Sequence, residues 1–295
     1  MGCLSQILNR DDTETAGANI LPDVVLAPMS GITDRAFRTA VRASGGGLVV
    51  SEMVASHAML TDVRAEMQKL QFNAAAEAPV AIQIAGWDPL MMAEAAKMAE
   101  QMGACLIDIN MGCPAKKVTG RASGSALMKE PVLAGEICGA VVDAVSLPVS
   151  LKTRLGWDDQ HRNAPEIAYI AEESGVSLIT IHGRTRTQMY KGSANWKEIA
   201  NVVQAVSIPV LANGDIVSPE DAKSALTASK AQGVMVGRGA QGQPWLLTQI
   251  ADHLAGRDIR STPDMAFRYR QICQHLDMVL TDYGILVVPF ARKYL

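Results

Sequence analysis

The chain has 295 residues, 48% of them hydrophobic and 19% charged, so it can bury a large core and is not a disordered polymer. Its 27 basic and 30 acidic residues leave a net charge of −3, which excludes a uniformly basic nucleic-acid binder but not a local basic patch. Aromatic residues are only 4% while methionines number 15, a mix that suits Ala- and Met-rich amphipathic helices better than an all-β sandwich.

Residues 1–19 are read as an N-terminal segment. From there, short apolar runs rich in Val, Ile and Leu recur at 24–27, 47–51, 79–84, 105–109, 147–151, 177–181, 208–211 and 233–236. Their spacing of roughly 30 residues is that of one βα unit. The runs are continuous rather than alternating, as expected of parallel strands buried on both faces. After the third run, Asp88 and Pro89 mark a helix start, and Met91, Ala95, Met98 and Met102 predict a core-facing stripe. Trp196, Ile199, Val203 and Val206 make a similar stripe, and Ser218-Pro219-Glu220 opens another helix.

Eight such units predict an α/β fold, a (β/α)8 TIM barrel over 20–254, with a doubly wound open sheet as the structural alternative. Beyond it, Thr262-Pro263 starts a helix whose stripe Met265, Tyr269, Ile272, Leu276, Val279 and Tyr283 runs to Gly284. Pro289 opens a second helix. Residues 255–295 are therefore expected to be a short C-terminal helical domain, cut short at Leu295.

Five cysteines, at 3, 105, 113, 138 and 273, form an odd set with no CxxC, so neither a disulfide framework nor a metal site is expected. No apolar run reaches a membrane span, and the N-terminus lacks the order of a signal peptide. Met1-Gly2-Cys3 resembles a myristoylation start, but Gln6 stands where Ser or Thr is needed. The expectation is a reduced, soluble, cytoplasmic protein, by default a monomer, without membrane or metal.

In a barrel the chemistry stands at the C-terminal ends of the strands. Here those ends read Ala27-Pro28-Met29, Ser51-Glu52, Gln83, Asn110 with Cys113, Lys152 and Arg154, His182, Asn213-Gly214-Asp215 and Gly237-Arg238-Gly239. Any one is an ordinary cap or loop residue, but eight on one rim predict a site. The last two suit a phosphate cradle, with glycines admitting backbone N–H groups and Arg238 adding charge. GRGAQG at 237–242 also matches GxGxxG, but it follows the last strand and Asp258 falls in the helical tail, so a Rossmann reading is set aside.

Lys152 could stabilise an anionic ring edge, such as that of a reduced flavin, or form a Schiff base. Gln83 offers both donor and acceptor to a heterocycle. Cys105 and Cys138 sit in apolar stretches and are expected to be buried. Cys113, between Gly112 and Pro114 on a rim loop, can act as a general acid or a nucleophile. Lys116, Lys117, Arg121, Arg154, Arg184, Arg186 and Lys191 fall on adjacent rim loops and predict an anion-binding mouth for a polyanionic substrate.

The segments LAPMSGITDRAFR, SEM, AIQIAG, IDINMGCPAKKV, GSAL, SLKTRLGW, TIHGRTR, IPVLANGD and VGRGAQGQPW occur in unbroken order. Together they resemble the tRNA-dihydrouridine synthases, with the bacterial B-type branch nearest. The resemblance implies an FMN-dependent barrel with a C-terminal helical domain. It would reduce the C5–C6 bond of a uridine in tRNA, in the D-loop, with NADPH (or NADH) as reductant.

Carried over by position, Cys113 is the acid that protonates C5. FMN contacts fall to Pro28, Met29, Ser30, Gln83, Lys152, His182, Asn213, Gly214, Asp215, Gly237 and Arg238. Asn110 positions the base with Arg154 beside it. From the cationic mouth, Lys116, Lys117 and Arg184 are expected to face the substrate. The family's helical domain continues past the element that is here Ala291-Arg292-Lys293-Tyr294, which puts the grip on tRNA in doubt. Two alternatives stay open: an FMN enzyme acting on free pyrimidines or dihydroorotate, and a catalytically impaired tRNA-binding protein.

Overall fold

The structure is a computed structural model that describes residues 7, 24–61, 73–119 and 122–284; of Ala74, Ala75 and Lys117 only the backbone is described. Cys3, Arg121, the helix expected from Pro289 and the Ala291–Tyr294 element lie outside the described residues.

The strands are β1 (Val24–Leu26), β2 (Val49–Val50), β3 (Val54–Ala55), β4 (Val80–Ala85), β5 (Leu106–Asn110), β6 (Val149–Arg154), β7 (Leu178–His182), β8 (Val210–Asn213) and β9 (Gly233–Val236). All pair in parallel. β1 bonds to β2 and β9, β2 bonds to β4, and β4 to β9 follow in order, which closes an eight-strand TIM barrel and excludes the open sheet.

The extra strand β3 is the resumption of the second barrel position on the far side of Ser51-Glu52-Met53. At that break Ser51 Oγ accepts the Gln83 N–H at 3.1 Å and the Glu52 carboxylate accepts the Gly31 N–H. Side-chain bonds there stand in for ladder bonds.

Helices alternate with the strands: α1 (Arg35–Ala43), α2 (Ser56–Leu60), α3 (Ala74–Glu77), α4 (Pro89–Gln101), α5 (Lys116–Thr119), α6 (Pro131–Ala144), α7 (Ala164–Glu173), α8 (Trp196–Ala205), α9 (Pro219–Ser229), α10 (Leu246–Leu254) and α11 (Met265–Tyr283). Asp88 and Ser218 cap α4 and α9 as their positions predict, each accepting a backbone N–H from three residues on.

Of the expected α4 stripe, Ala95, Met98 and Met102 face the core and Met91 does not, its place being taken by Met92. Met92, Ala95, Ala96 and Ala99 are buried, whereas Met91 is 38% exposed. Three alanines let the helix lie close against the strands, and Met92 joins them on the inner face with Met98 and Met102 packed at its edge. The tail helix α11 begins at Met265 behind an Asp264 cap instead of at Thr262-Pro263, and Met265 and Tyr269 are exposed. Its second half docks on α1: Arg35 donates to both Asp282 oxygens at 2.9 and 2.6 Å, and Phe37 meets His275 edge-on with centroids 6.5 Å apart. Cys138 is buried as expected, but Cys105 is only half-buried.

The core has two shells. The larger lies between strands and helices and accounts for the continuous apolar runs. The smaller lies inside the barrel, where Val25, Ala27, Leu48, Val50, Ala81, Leu106, Leu178, Leu211 and Met235 form an apolar floor. Going up each strand by two residues keeps the side chain inside. Above the floor comes a polar row, Gln83, Asp108 and Ser150, aligned strand to strand by the register. Asn110, Lys152 and Thr180 are aligned in the next row, and Arg154, His182 and Asn213 in the last. A barrel interior that turns from apolar to polar along its axis leads directly to a site at its upper end.

Candidate active site

The C-terminal ends of the strands surround a cavity of about 720 Å³, within the range of small-ligand sites. Every predicted residue from Pro28 to Ser30, with Gln83, Asn110, Cys113, Lys152, Arg154, His182, Asn213 to Asp215, Gly237 and Arg238, lines it.

Cys113 sits on a turn held from below. Asn110 Oδ1 accepts the backbone N–H groups of Gly112 at 3.2 Å and Cys113 at 3.0 Å, and Ser125 donates to the Cys113 carbonyl from both its N–H and its hydroxyl. Gly124 (φ +60) allows that approach, since a Cβ there would stand 2.9 Å from the Cys113 oxygen. Asn110 Nδ2 donates to Gln83 Oε1 at 2.8 Å, and Gln83 Nε2 donates to Asp108 Oδ2 at 2.6 Å. Ser150 donates to the other Asp108 oxygen at 2.6 Å.

Burial pushes the Asp108 carboxyl up to about 6, against the opposing pull of Ser150, Gln83 and Lys152.

Burial and the neighbouring Arg154 draw the Lys152 ammonium down to about 8, while Asp108 and Cys113 hold it up. Among the described residues the Lys152 ammonium makes no hydrogen bond, and the buried Asp108 carboxyl below it is the group that opposes its charge. Arg154 is different. It is buried and donates to three carbonyls, those of Gly112, Thr185 and Met189, which makes it a brace between the Cys113 turn and the loop after β7. Its burial, more than nearby Arg184, lowers it to about 10, and it stays charged.

Burial, and then the positive charge of Lys152, Arg154, Arg184 and Arg238, hold His182 well below its ordinary value. The ring is neutral. Arg184 Nη1 lies 3.3 Å from His182 Nε2, and arginine can only donate, so Nε2 accepts and the ring proton belongs on Nδ1.

The loops after β8 and β9 are packed on each other. A Cβ on Gly239 would stand 2.3 Å from the Ile216 carbonyl, and one on Gly214 (φ +113) would stand 2.8 Å from His182 Cδ2. Burial raises the Asp215 carboxyl, but its bonds to Arg184 and the Ala194 N–H, with Arg238 nearby, hold it below its ordinary value. Arg238 reaches Asp215 at 3.7 Å and lies 4.9 Å from the Tyr190 ring.

The expected mouth of seven cations is corrected. Arg184 is 2% exposed, does not line the cavity, and is bound bidentate to Asp215 at 2.9 and 2.6 Å and to the carbonyls of Lys191 and Gly192. Charge counting along the sequence cannot show that a rim arginine has a carboxylate 31 residues away. Arg186 stacks 4.4 Å from the Trp157 ring. Lys116 and Lys191 are exposed, but Lys116 is not part of the cavity wall; the Lys117 side chain and Arg121 lie outside the described residues.

Four residues were missed. Asp108 and Ser150 stand two positions before Asn110 and Lys152, so a polar residue of matching parity inside an apolar strand was the available signal. Met189 and Tyr190, both exposed at the mouth, carry no motif.

The wall thus combines a cation, two oriented amides, a thiol on a fixed turn and two tightly packed glycine loops. That donor set suits a planar heterocycle with an electron-rich edge and a phosphate at one end. Among the described residues no group of His, Cys, Asp or Glu is arranged to hold a metal, and no helix is long and apolar enough to cross a membrane.

Comparison with known proteins places the chain in a family. The family model described as Dihydrouridine synthase (Dus) matches residues 25–293. A protein of Rickettsia conorii named "Probable tRNA-dihydrouridine synthase" is 51% identical over 274 residues, covering 92% of this chain and 83% of that one. One of Rhodobacter capsulatus with the same name is 53% identical, covering 93% and 85%. The "tRNA-dihydrouridine synthase B" of Xanthomonas axonopodis pv. citri is 45% identical, covering 94% and 83%. A solved structure of a FabK mutant from Thermotoga maritima is similar at 14% identity and TM-score 0.48, covering 81% and 65%; the barrel stands on its strand pairing alone. On the match over residues 25–293, the chain belongs to the dihydrouridine synthase family.

Proposed function

We propose that this chain is a flavin-dependent tRNA-dihydrouridine synthase, which reduces the C5–C6 double bond of a uridine in the D-loop of tRNA. The observation that carries this reading is the turn that fixes Cys113 in the same cavity as Lys152 and Gln83. When bound, FMN would supply the hydride, with NADPH or NADH restoring it. The residues to hold it are Lys152, Gln83, His182 and the segments 28–30, 213–215 and 237–238, because these combine a cation, ring-edge amides and glycine loops for a phosphate.

Hydride at C6 leaves enolate charge on C5 and O4, which must be met by a proton at C5. A Cys113 thiol on a fixed turn donates that proton from a set position, without waiting for water. Lys152, charged below about pH 8, opposes negative charge at the ring edge. Arg154 braces the turn from the other side. Exposed Lys116, with Lys117 next to it, follows the Cys113 turn and suits contact with the RNA backbone. A tRNA loop lets the base leave its stack at less cost than a duplex would. Such a substrate puts the working site in the cytoplasm, and a monomer suffices.

The test begins with colour. The purified protein should be yellow, and one that cannot be reconstituted with FMN would rule out the cofactor. Incubated with NADPH, it should form dihydrouridine in tRNA lacking that modification, and Cys113→Ala should not. Reduction of free uracil with none on tRNA would overturn the reading.

A further inference from the structure

Asp108 has no surface in the cavity and is 1% exposed, yet it terminates a chain of hydrogen bonds that begins at Cys113. The direction of every bond in that chain is fixed. The N–H groups of Gly112 and Cys113 can only donate, so the Asn110 atom facing them is Oδ1. Its amide nitrogen therefore faces Gln83, whose Oε1 must accept. Gln83 Nε2 then faces Asp108, which accepts from it and from Ser150. Each amide keeps one N–H that no described residue takes up, and both side chains line the cavity.

We propose that Asp108 is a positioning residue that holds this wall from the end opposite the Cys113 turn, so that Asn110 keeps an N–H next to Cys113 and the site selects a uracil ring over a cytosine ring. Asp108 has this role for base choice only if the cavity takes a uridine, as proposed above. The chemistry is local. A thiol placed to protonate C5 has the C4 substituent as its neighbour, and in uracil that substituent is a carbonyl oxygen, which accepts. In cytosine it is an amino group, which donates, so two donors would meet with no acceptor between them. Without an acceptor at position 108 the Gln83 amide is held against rotation only by the Asn110 Nδ2–H that its Oε1 accepts. A rotated Gln83 would turn an N–H toward Asn110 and break the link to the Cys113 turn.

The variants Asp108→Ala and Asp108→Asn separate polarity from charge. Asn can keep an oxygen toward Gln83 Nε2 and offer its N–H to Ser150 Oγ, so it preserves the direction of the chain without the charge. Two readouts apply. The first is the ratio of kcat/KM on a tRNA transcript with uridine at the reduced position to that on the same transcript with cytidine there. The second is the rate at which iodoacetamide alkylates Cys113 in the flavin-free protein.

Asp108→Ala should lower the ratio by about tenfold or more and change the alkylation rate by about fivefold, with Asp108→Asn close to the parent in both. An unchanged ratio in Asp108→Ala, or an Asn variant as impaired as the Ala variant, would overturn the proposal. Should Asp108→Ala fail to fold, Ser150→Ala removes the other donor to Asp108 and should shift both readouts in the same direction, by about threefold; no shift would count against it. If the parent protein reduces neither transcript, the proposed function fails, and alkylation alone then decides whether Asp108 positions the turn.

Discussion

Asn110 holds Cys113 by its backbone and not by its thiol: the side-chain oxygen takes the Cys113 N–H at 3.0 Å and leaves the sulfur unencumbered at the cavity wall. Removing that oxygen strands two N–H donors in a largely buried turn, at a cost of about 1–3 kcal/mol. Displacement of a reacting group by about 1 Å can cost a hundredfold in rate. Asn110→Ala should therefore lower dihydrouridine formation by about a hundredfold while flavin absorbance per protein stays within about twofold. Single-turnover kinetics with flavin-loaded protein read both quantities.

The pH dependence of cofactor binding follows from Lys152. Its ammonium is charged below about pH 8 and loses the charge above it, because burial and Arg154 outweigh Asp108 and Cys113. FMN affinity should fall as pH rises from 7 to 9.5, by about tenfold, the worth of one charge-assisted hydrogen bond. Lys152→Gln should bind more weakly and show a flatter profile. Fluorescence titration of FMN across that range is the measurement, and an affinity constant with pH in the parent protein would contradict the assignment.

Arg38 and Glu77 form a fully buried ion pair at 2.7 Å, and Arg38 also donates to the Thr33 carbonyl at 2.7 Å. Thr33 closes the turn behind Met29, so this pair ties the first rim loop to α1 and α3. Arg38→Ala leaves a carboxylate uncompensated, which costs about 3–5 kcal/mol. A double variant, Arg38→Met with Glu77→Leu, should recover most of that loss. Thermal melts of the three proteins distinguish the outcomes, and equal melting points for parent and Arg38→Ala would refute the buried pairing.

His275 makes the docking of α11 acid-sensitive. Burial pushes its ring down to about 4, below the ordinary 6.5, so the folded protein holds it neutral. Between those values the unfolded chain binds a proton that the folded one does not, so stability rises with pH and is lost as pH falls from about 6.5 toward 4. Limited proteolysis within α11 should accelerate over that window, and His275→Leu should remove the acceleration. Cleavage that is independent of pH in the parent would exclude the effect.

The barrel was legible because eight apolar runs recur at one spacing, and because Pro28, Gln83, Lys152 and His182 break those runs at the same end. The resemblance then supplied roles that spacing could not. What stayed hidden depends on contacts across the sequence. Met91 was misplaced on the α4 inner face because Met91 and Met92 are equally apolar, and only packing chooses between them. Arg184 looked like a substrate contact because Asp215, its partner, belongs to another loop. Asp108 looked like an ordinary strand residue because its meaning lies in Gln83 and Ser150, 25 and 42 residues away.

The lateral rows inside the barrel bear on how this site can change. Gln83, Asp108 and Ser150 occupy one row, and Asn110, Lys152 and Thr180 the next. A slip of any strand by one residue would turn its polar side chains outward and bring apolar ones in. The lining is therefore a set of fixed slots: an engineer can exchange what a slot holds but cannot slide it toward a ligand. New preferences for RNA are to be sought in the loop that carries Met189 and Tyr190 and at Lys116 where α5 begins, outside that lattice.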